Sequence, residues 1–194
     1  MSNIHWLRKG DNNMILSGLK IYQEQQNQHI SISPFEESLL NPNSYNYRLG
    51  DTLYEVMDDV IDPKKKTTYK KIKLTSKGYL LKPNKLYLGN TYEKIGSSKY
   101  VTQLIGRSSM GRLGLFLQIT APLGHVGCNH NWTLELKCTQ PLRIYPHMRI
   151  GQVTFWVLDG EVTTTYDTGK YNRYKRPGVS LFYKEMGDCH DSIR

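Results

Sequence analysis

Short apolar or alternating runs recur from residue 29 onward, and no long helical period lies between them. They fall at residues 30–32, 45–56, 69–74, 79–81, 86–88, 101–105, 115–119, 132–138, 142–144 and 152–158. Turn formers separate them: Asn41-Pro42-Asn43, Pro83-Asn84, Gly96-Ser97-Ser98 and Pro146-His147. A chain punctuated in this way has no amphipathic helices with which to cover a parallel sheet, so the pattern predicts an all-β barrel or sandwich. Only one helix is expected, beginning after Met14-Ile15-Leu16, capped by Ser17 and running to about Gln26.

The length, 194 residues, suits one domain. Residues 1–13 read as a polar extension, residues 14–163 as the β domain, and residues 164–194 as a tail too poor in aliphatic side chains to build its own core. Lys and Arg number 26 against 17 Asp and Glu, a formal charge of +9 that favours polyanionic ligands. No run of about 18 apolar residues is present and the first 13 residues lack an apolar signal core, so a cytoplasmic protein without a membrane partner is expected. The three cysteines, Cys128, Cys138 and Cys189, form neither a disulfide framework nor a Cys-x-x-Cys zinc motif.

The densest chemistry lies in Gly106-Arg107-Ser108-Ser109-Met110-Gly111-Arg112-Leu113-Gly114. Its glycines let the backbone turn sharply, while its hydroxyls and forked guanidinium groups suit phosphate oxygens. A P-loop is excluded because Arg112-Leu113 stands where Lys and Ser or Thr are required. A plain glycine-rich turn with surface arginines remains open. In Trp132-Thr133-Leu134-Glu135-Leu136-Lys137, strand alternation puts Thr133, Glu135 and Lys137 on one face. Glu135 is then either an ordinary exposed strand residue or, if its face lines a cleft, a carboxylate able to take a proton from water. His125, Cys128 and His130 lie too close in sequence to close a metal tetrahedron without a distant fourth ligand. Lys64-Lys65-Lys66 reads as a solvated loop.

Taken together, residues 106–115, Ile119-Thr120-Ala121, residues 132–135 and Met148-Arg149-Ile150-Gly151-Gln152 resemble the deoxycytidine triphosphate deaminases, relatives of trimeric dUTPase. Met14-Ile15-Leu16-Ser17-Gly18, Leu40-Asn41-Pro42-Asn43-Ser44-Tyr45, Arg48-Leu49-Gly50-Asp51 and Gly169-Lys170-Tyr171 extend the match. The resemblance implies a distorted β-barrel, jelly-roll-like, and a homotrimer with active sites between subunits. It implies hydrolytic deamination of a cytosine deoxynucleotide, dCTP to dUTP plus ammonia, with Mg2+ carried on the triphosphate. By position, Glu135 matches the general base, with Ser108 and Arg112 holding water and polarising the ring. Arg107, Ser109, Met110, Gly111, His125, Thr133, Leu134, Gln152, Tyr166, Lys170 and Tyr174 fall on nucleotide-contacting positions. Taken without the resemblance, Gln152 and Tyr166 read equally as a strand-edge amide and an ordinary tyrosine. Family members work without zinc, and here no histidine opens a His-x-Glu motif and Pro-Cys-x-x-Cys is absent.

The chain departs from the family around the sugar and tail contacts. His125 stands where an aspartate contacts the 3′-hydroxyl and, in enzymes that also cleave the triphosphate, orients the attacking water. Imidazole offers a donor and an acceptor, whereas a carboxylate only accepts and carries charge, so the swap weighs against a second, dUMP-forming activity. Asn46 replaces Asp, His147 replaces Gly, Tyr174 replaces Gln, and Leu181 stands where Arg usually follows Ser180. These changes are expected to cluster with His125. A nucleotide sensor of the same fold is the alternative to an enzyme; a nucleic-acid binder using charge and tyrosines is a more remote one.

Overall fold

The computed structural model describes residues 14–117, 120–166 and 176–188. Helix α1 (Gly18–Gln26) is capped as expected, with the Ser17 hydroxyl accepting the Lys20 N–H at 3.3 Å. Strands β1 (Ile30–Ser33), β2 (Leu40–Asn41), β3 (Ser44–Arg48), β4 (Thr52–Val56), β5 (Tyr69–Lys73), β6 (Tyr79–Leu81), β7 (Tyr87–Asn90) and β8 (Lys94–Ser97) follow. Then come β9 (Val101–Gly106), helix α2 (Ser108–Arg112), β10 (Leu115–Leu117), β11 (Leu123–Gly124), β12 (Asn129–His130), β13 (Thr133–Cys138), β14 (Leu142–Ile144), β15 (Arg149–Trp156) and helix α3 (Phe182–Asp188).

The expected all-β architecture is realised as four antiparallel sheets, ordered β10-β13-β7-β4-β5, β11-β9-β15-β3-β2, β1-β8-β12 and β14-β6. One buried cluster joins the inner faces of the two five-stranded sheets: Leu53, Ile72, Tyr87, Leu134 and Leu136 from the first meet Tyr45, Tyr47, Leu104, Val153 and Phe155 from the second. Strand alternation does the sorting. In β13, Leu134, Leu136 and Cys138 are buried while Thr133, Glu135 and Lys137 face outward.

The structure revises the sequence expectations at four places, the first being helix α3 in the tail, where no helix beyond α1 was expected. Residues 45–56 are two strands, because Gly50, packed against the Asn90 side chain, breaks the run between Arg48 and Thr52 and sends β3 and β4 to different sheets. Gly96 and Ser97 are not a turn but part of β8. Gly96 is required there because the Cys128 carbonyl approaches so closely that a Cβ would overlap it. The glycine-bearing segment after β9 coils into the short helix α2, with the Met110 and Gly111 N–H groups both donating to the Arg107 carbonyl.

Candidate active site

Opposed residues in an antiparallel ladder share a face. The pairs Glu135↔Leu88 and Leu88↔Tyr54 therefore put Glu135 on the same outer face as Leu88 and Tyr54, and Val56, two residues on, follows Tyr54. Above this face lies a cavity of about 760 Å³ lined by Leu86, Leu88, Val56, Tyr69, Thr133 and Glu135. Its walls are residues 120–121 and 123–125 on one side, residues 128 and 130–132 behind, and Tyr166 with residues 178–180 and 182–183 above. A volume of this size falls within the range of small-molecule sites, about 300–1,000 Å³.

Glu135 is half-buried and held in place. Its Oε2 accepts the Thr120 N–H at 2.9 Å and the Thr120 hydroxyl at 3.3 Å, while Oε1 has no hydrogen-bond partner among the described residues. A fixed carboxylate with one open oxygen can accept a proton from a water in the cavity. Thr133, two residues earlier on the strand, accepts the Gly178 N–H at 2.8 Å, and the Tyr166 N–H donates to the Val126 carbonyl at 2.9 Å. Two points of the tail are thus tied to the walls of the cavity that holds Glu135. The His125 and Tyr166 rings lie 5.2 Å apart at its rim.

The sequence-expected residues separate into two groups. Thr133, Glu135, His125 and Tyr166 meet at the cavity. Ser108, Ser109, Gly111 and Arg112 are exposed on α2, and none of them lines it. Leu115 pairs with Cys138, three residues beyond Glu135, so α2 lies past the end of β13, about 10 Å or more from Glu135 along the strand. Arg107 donates to the Arg149 carbonyl at 3.2 Å. Gln152 is on β15, between β9 and β3 rather than at a sheet edge, with its amide 3.5 Å from Asn46 Oδ1. The trio Ser108, Arg112 and Glu135 is therefore not assembled within one chain.

At two of the expected contact positions the side chain turns to the core. Leu134 is fully buried against the core, so only its main chain can reach a ligand, because strand alternation turns its side chain away from Glu135. Met110 packs against the core and anchors α2 rather than presenting its side chain outward. Two of the family departures lie away from His125, whereas Leu181 follows Ser180 on the cavity wall. Asn46 is buried, donating to the Leu39 carbonyl at 3.2 Å and to Asn41 Oδ1 at 3.1 Å, and His147 lies at a turn with its ring 4.2 Å from Tyr92. Lys170 and Tyr174 lie outside the described residues. Among the described residues, no group of three His, Cys, Asp or Glu side chains is placed to hold a metal ion; the His130 ring instead stacks on Trp132 at 4.6 Å.

Sequence reasoning missed two contributors. Thr120, which fixes Glu135, belonged to a matched motif but carried no assigned role. The loop between β4 and β5 supplies Ile61, Pro63, Lys65 and Thr67 to the cavity. Its signal was the alternation in residues 52–56 and 69–73, which marks a hairpin whose connecting loop rises from the sheet that bears Glu135.

Fold and cavity together define an all-β domain with a carboxylate on the floor of a nucleotide-sized cleft. The family model described as dCTP deaminase-like matches residues 15–158, and the chain belongs to that family. It is 46% identical over 173 residues to "dCTP deaminase, dUMP-forming" of Hathewaya histolytica, covering 89% of this chain and 99% of the relative. It is 42% identical over 174 residues to "dCTP deaminase" of Rhodopirellula baltica, covering 90% of this chain and 87% of that one. The crystal structure of 2′-deoxycytidine 5′-triphosphate deaminase from Agrobacterium tumefaciens shares the fold with a TM-score of 0.61 at 19% identity. The match covers 76% of this chain and 49% of that one, about half its length. No helix among the described residues is long and apolar enough to cross a membrane.

Proposed function

We propose that this protein hydrolytically deaminates a cytosine deoxynucleotide, dCTP, with Glu135 as the general base. The observation that carries the reading is the Glu135 carboxylate, pinned through one oxygen by Thr120 and open at the other toward the cavity, in a chain of this family. Water is a poor nucleophile, with a pKa of about 15.7. Glu135 takes one proton as the oxygen adds to C4 of the pyrimidine and delivers it to the ring nitrogen; it then takes the second from the hydroxyl of the tetrahedral intermediate and hands it to the amine, which leaves as ammonia as the C4 carbonyl forms. Arg112 stabilises charge on the ring, and Ser108 positions the water.

Those two groups come from a second copy in a homotrimer. The surface around α2 supports this: Ile105, Leu113 and Phe116 are each 40–49% exposed beside Ser108 and Arg112, an apolar patch suited to a subunit contact. Arg107 and Ser109 of that copy, with Lys170, then meet the triphosphate. The magnesium ion belongs with the substrate, held by phosphate oxygens and neutralising part of their charge.

The names of the relatives favour a second reading of the product. Those from Hathewaya histolytica and Clostridium beijerinckii are named dUMP-forming, so cleavage of the triphosphate after deamination is the competing outcome, with His125 weighing against it. Ammonia release and chromatography of the products from dCTP test both readings. Ammonia with dUTP supports simple deamination, and ammonia with dUMP and pyrophosphate supports the second reading. Nucleotide binding without ammonia, unchanged in Glu135→Gln, replaces the enzyme with a sensor.

A further inference from the structure

The loop between β4 and β5, whose three lysines the sequence presents as a solvated run, is a wall of the cavity. Its base is closed by the Met57 N–H donating to the Thr68 carbonyl at 3.0 Å and the Thr68 N–H donating to Asp58 Oδ2 at 2.6 Å. Its tip turns on Asp62, whose carboxylate accepts the Lys64 N–H and whose carbonyl accepts the Lys65 N–H, each at 2.9 Å. This geometry sorts the lysines: Lys65 lines the cavity, whereas Lys64 and Lys66 do not. The Lys65 side chain is 81% exposed, and Asp62, at 3.7 Å, is its ion-pair partner among the described residues. Ile61 and Pro63 beside it add apolar surface to the same wall.

The sheet gives the span. Glu135 is on β13, and the loop leaves the sheet from β4 and β5, two and three strands away, so about 10–14 Å separates the strands that carry them. That is about the reach from the reacting carbon of a pyrimidine nucleotide to its phosphates. We propose that Lys65 binds the phosphate chain of the nucleotide whose base reaches Glu135, making the loop a determinant of how many phosphates the substrate must carry. This rests on the reading of the cavity as a nucleotide site and adds a contact from the same chain as Glu135.

The experiment compares wild type, Lys65→Gln, Lys65→Arg and Lys64→Gln on dCTP and dCMP, reading KM and kcat from ammonia release and Kd from calorimetry. For one charge-assisted contact on a solvated side chain, Lys65→Gln raises KM and Kd for dCTP about five- to tenfold and leaves kcat within about twofold. For dCMP the same variant shifts them less. Lys65→Arg restores the affinity for dCTP, Lys64→Gln matches wild type, and the difference shrinks as salt is raised. Equal dCTP affinity in wild type and Lys65→Gln, or equal losses in Lys65→Gln and Lys64→Gln, overturns the proposal. If wild type binds dCTP without releasing ammonia, the deaminase reading fails while the Kd comparison still decides on Lys65. If wild type binds no dCTP, both fall.

Discussion

Co-expressing Glu135→Gln chains with Arg112→Ala chains separates a site shared between copies from one built inside a chain. The β10–β13 register holds α2 past the Cys138 end of the strand, so the Arg112 nearest to a given Glu135 carboxylate must come from another protomer if it acts there. Alone, Glu135→Gln loses about two to four orders of magnitude in rate as a general base is removed, and Arg112→Ala loses about two to three as developing charge goes unmet. In a closed ring of randomly mixed chains, half of the glutamate donors and half of the arginine donors are intact, so about one quarter of sites hold both. Chains carrying different tags allow mixed assemblies to be purified away from both parents before ammonia release is measured. In a trimer freed of both parents each assembly holds one competent site of its three, so recovery to about a third of the wild-type kcat, with wild-type KM, is the expected result. A mixture no more active than either parent refutes the shared site, because a site inside one chain always keeps one lesion.

Three further outcomes follow from the packing. Glu24 is covered, with Lys20 Nζ at 2.7 Å and His29 Nδ1 at 2.8 Å, and its pKa is held down to about 2 by the hydrogen bond from Lys20, against burial, with help from His29 and Tyr100. Because the native pKa lies below the unfolded value of 4.5, the stabilisation is complete above that pH and is lost as pH falls toward 2. Glu24→Gln should therefore cost about 2–3 kcal/mol in urea unfolding at pH 7, and less than half of that at pH 3. Gly96→Ala drives a methyl into the Cys128 carbonyl and separates β8 from β12. A loss of about 2–3 kcal/mol, read as a fall in Tm of about 5–10 °C, is expected. Glu93 is fully buried and accepts the Arg48 N–H at 2.8 Å and its Nε–H at 2.6 Å. Glu93→Ala removes the buried partner of Arg48 and leaves it only the exposed Glu36 carboxylate, and denaturant unfolding should show a loss of about 2–4 kcal/mol.

Much of the fold was legible because strand alternation and turn chemistry are local properties. The Ser17 cap, the sidedness of β13 and the end of α1 are each set within a few residues, and the structure reproduces them. Local patterning did not foretell where the run at 45–56 divides or that Gly96 lies in a strand. Both depend on groups distant in the chain, the Asn90 side chain and the Cys128 carbonyl, closing on a residue that has no Cβ.

By itself, the sequence determined that this chain is an all-β protein with a carboxylate on the outer face of one strand and cationic glycine-bearing backbone elsewhere. Tertiary structure decided which of these meet. Pairing across β13, β7, β4 and β5 brought Glu135, Thr120 and the Lys65 loop around one cavity and left Arg112 and Ser108 on another surface. The physical reason is that alternation fixes the face a side chain takes, whereas register and sheet order fix its neighbours, and those arise from contacts far apart in the chain.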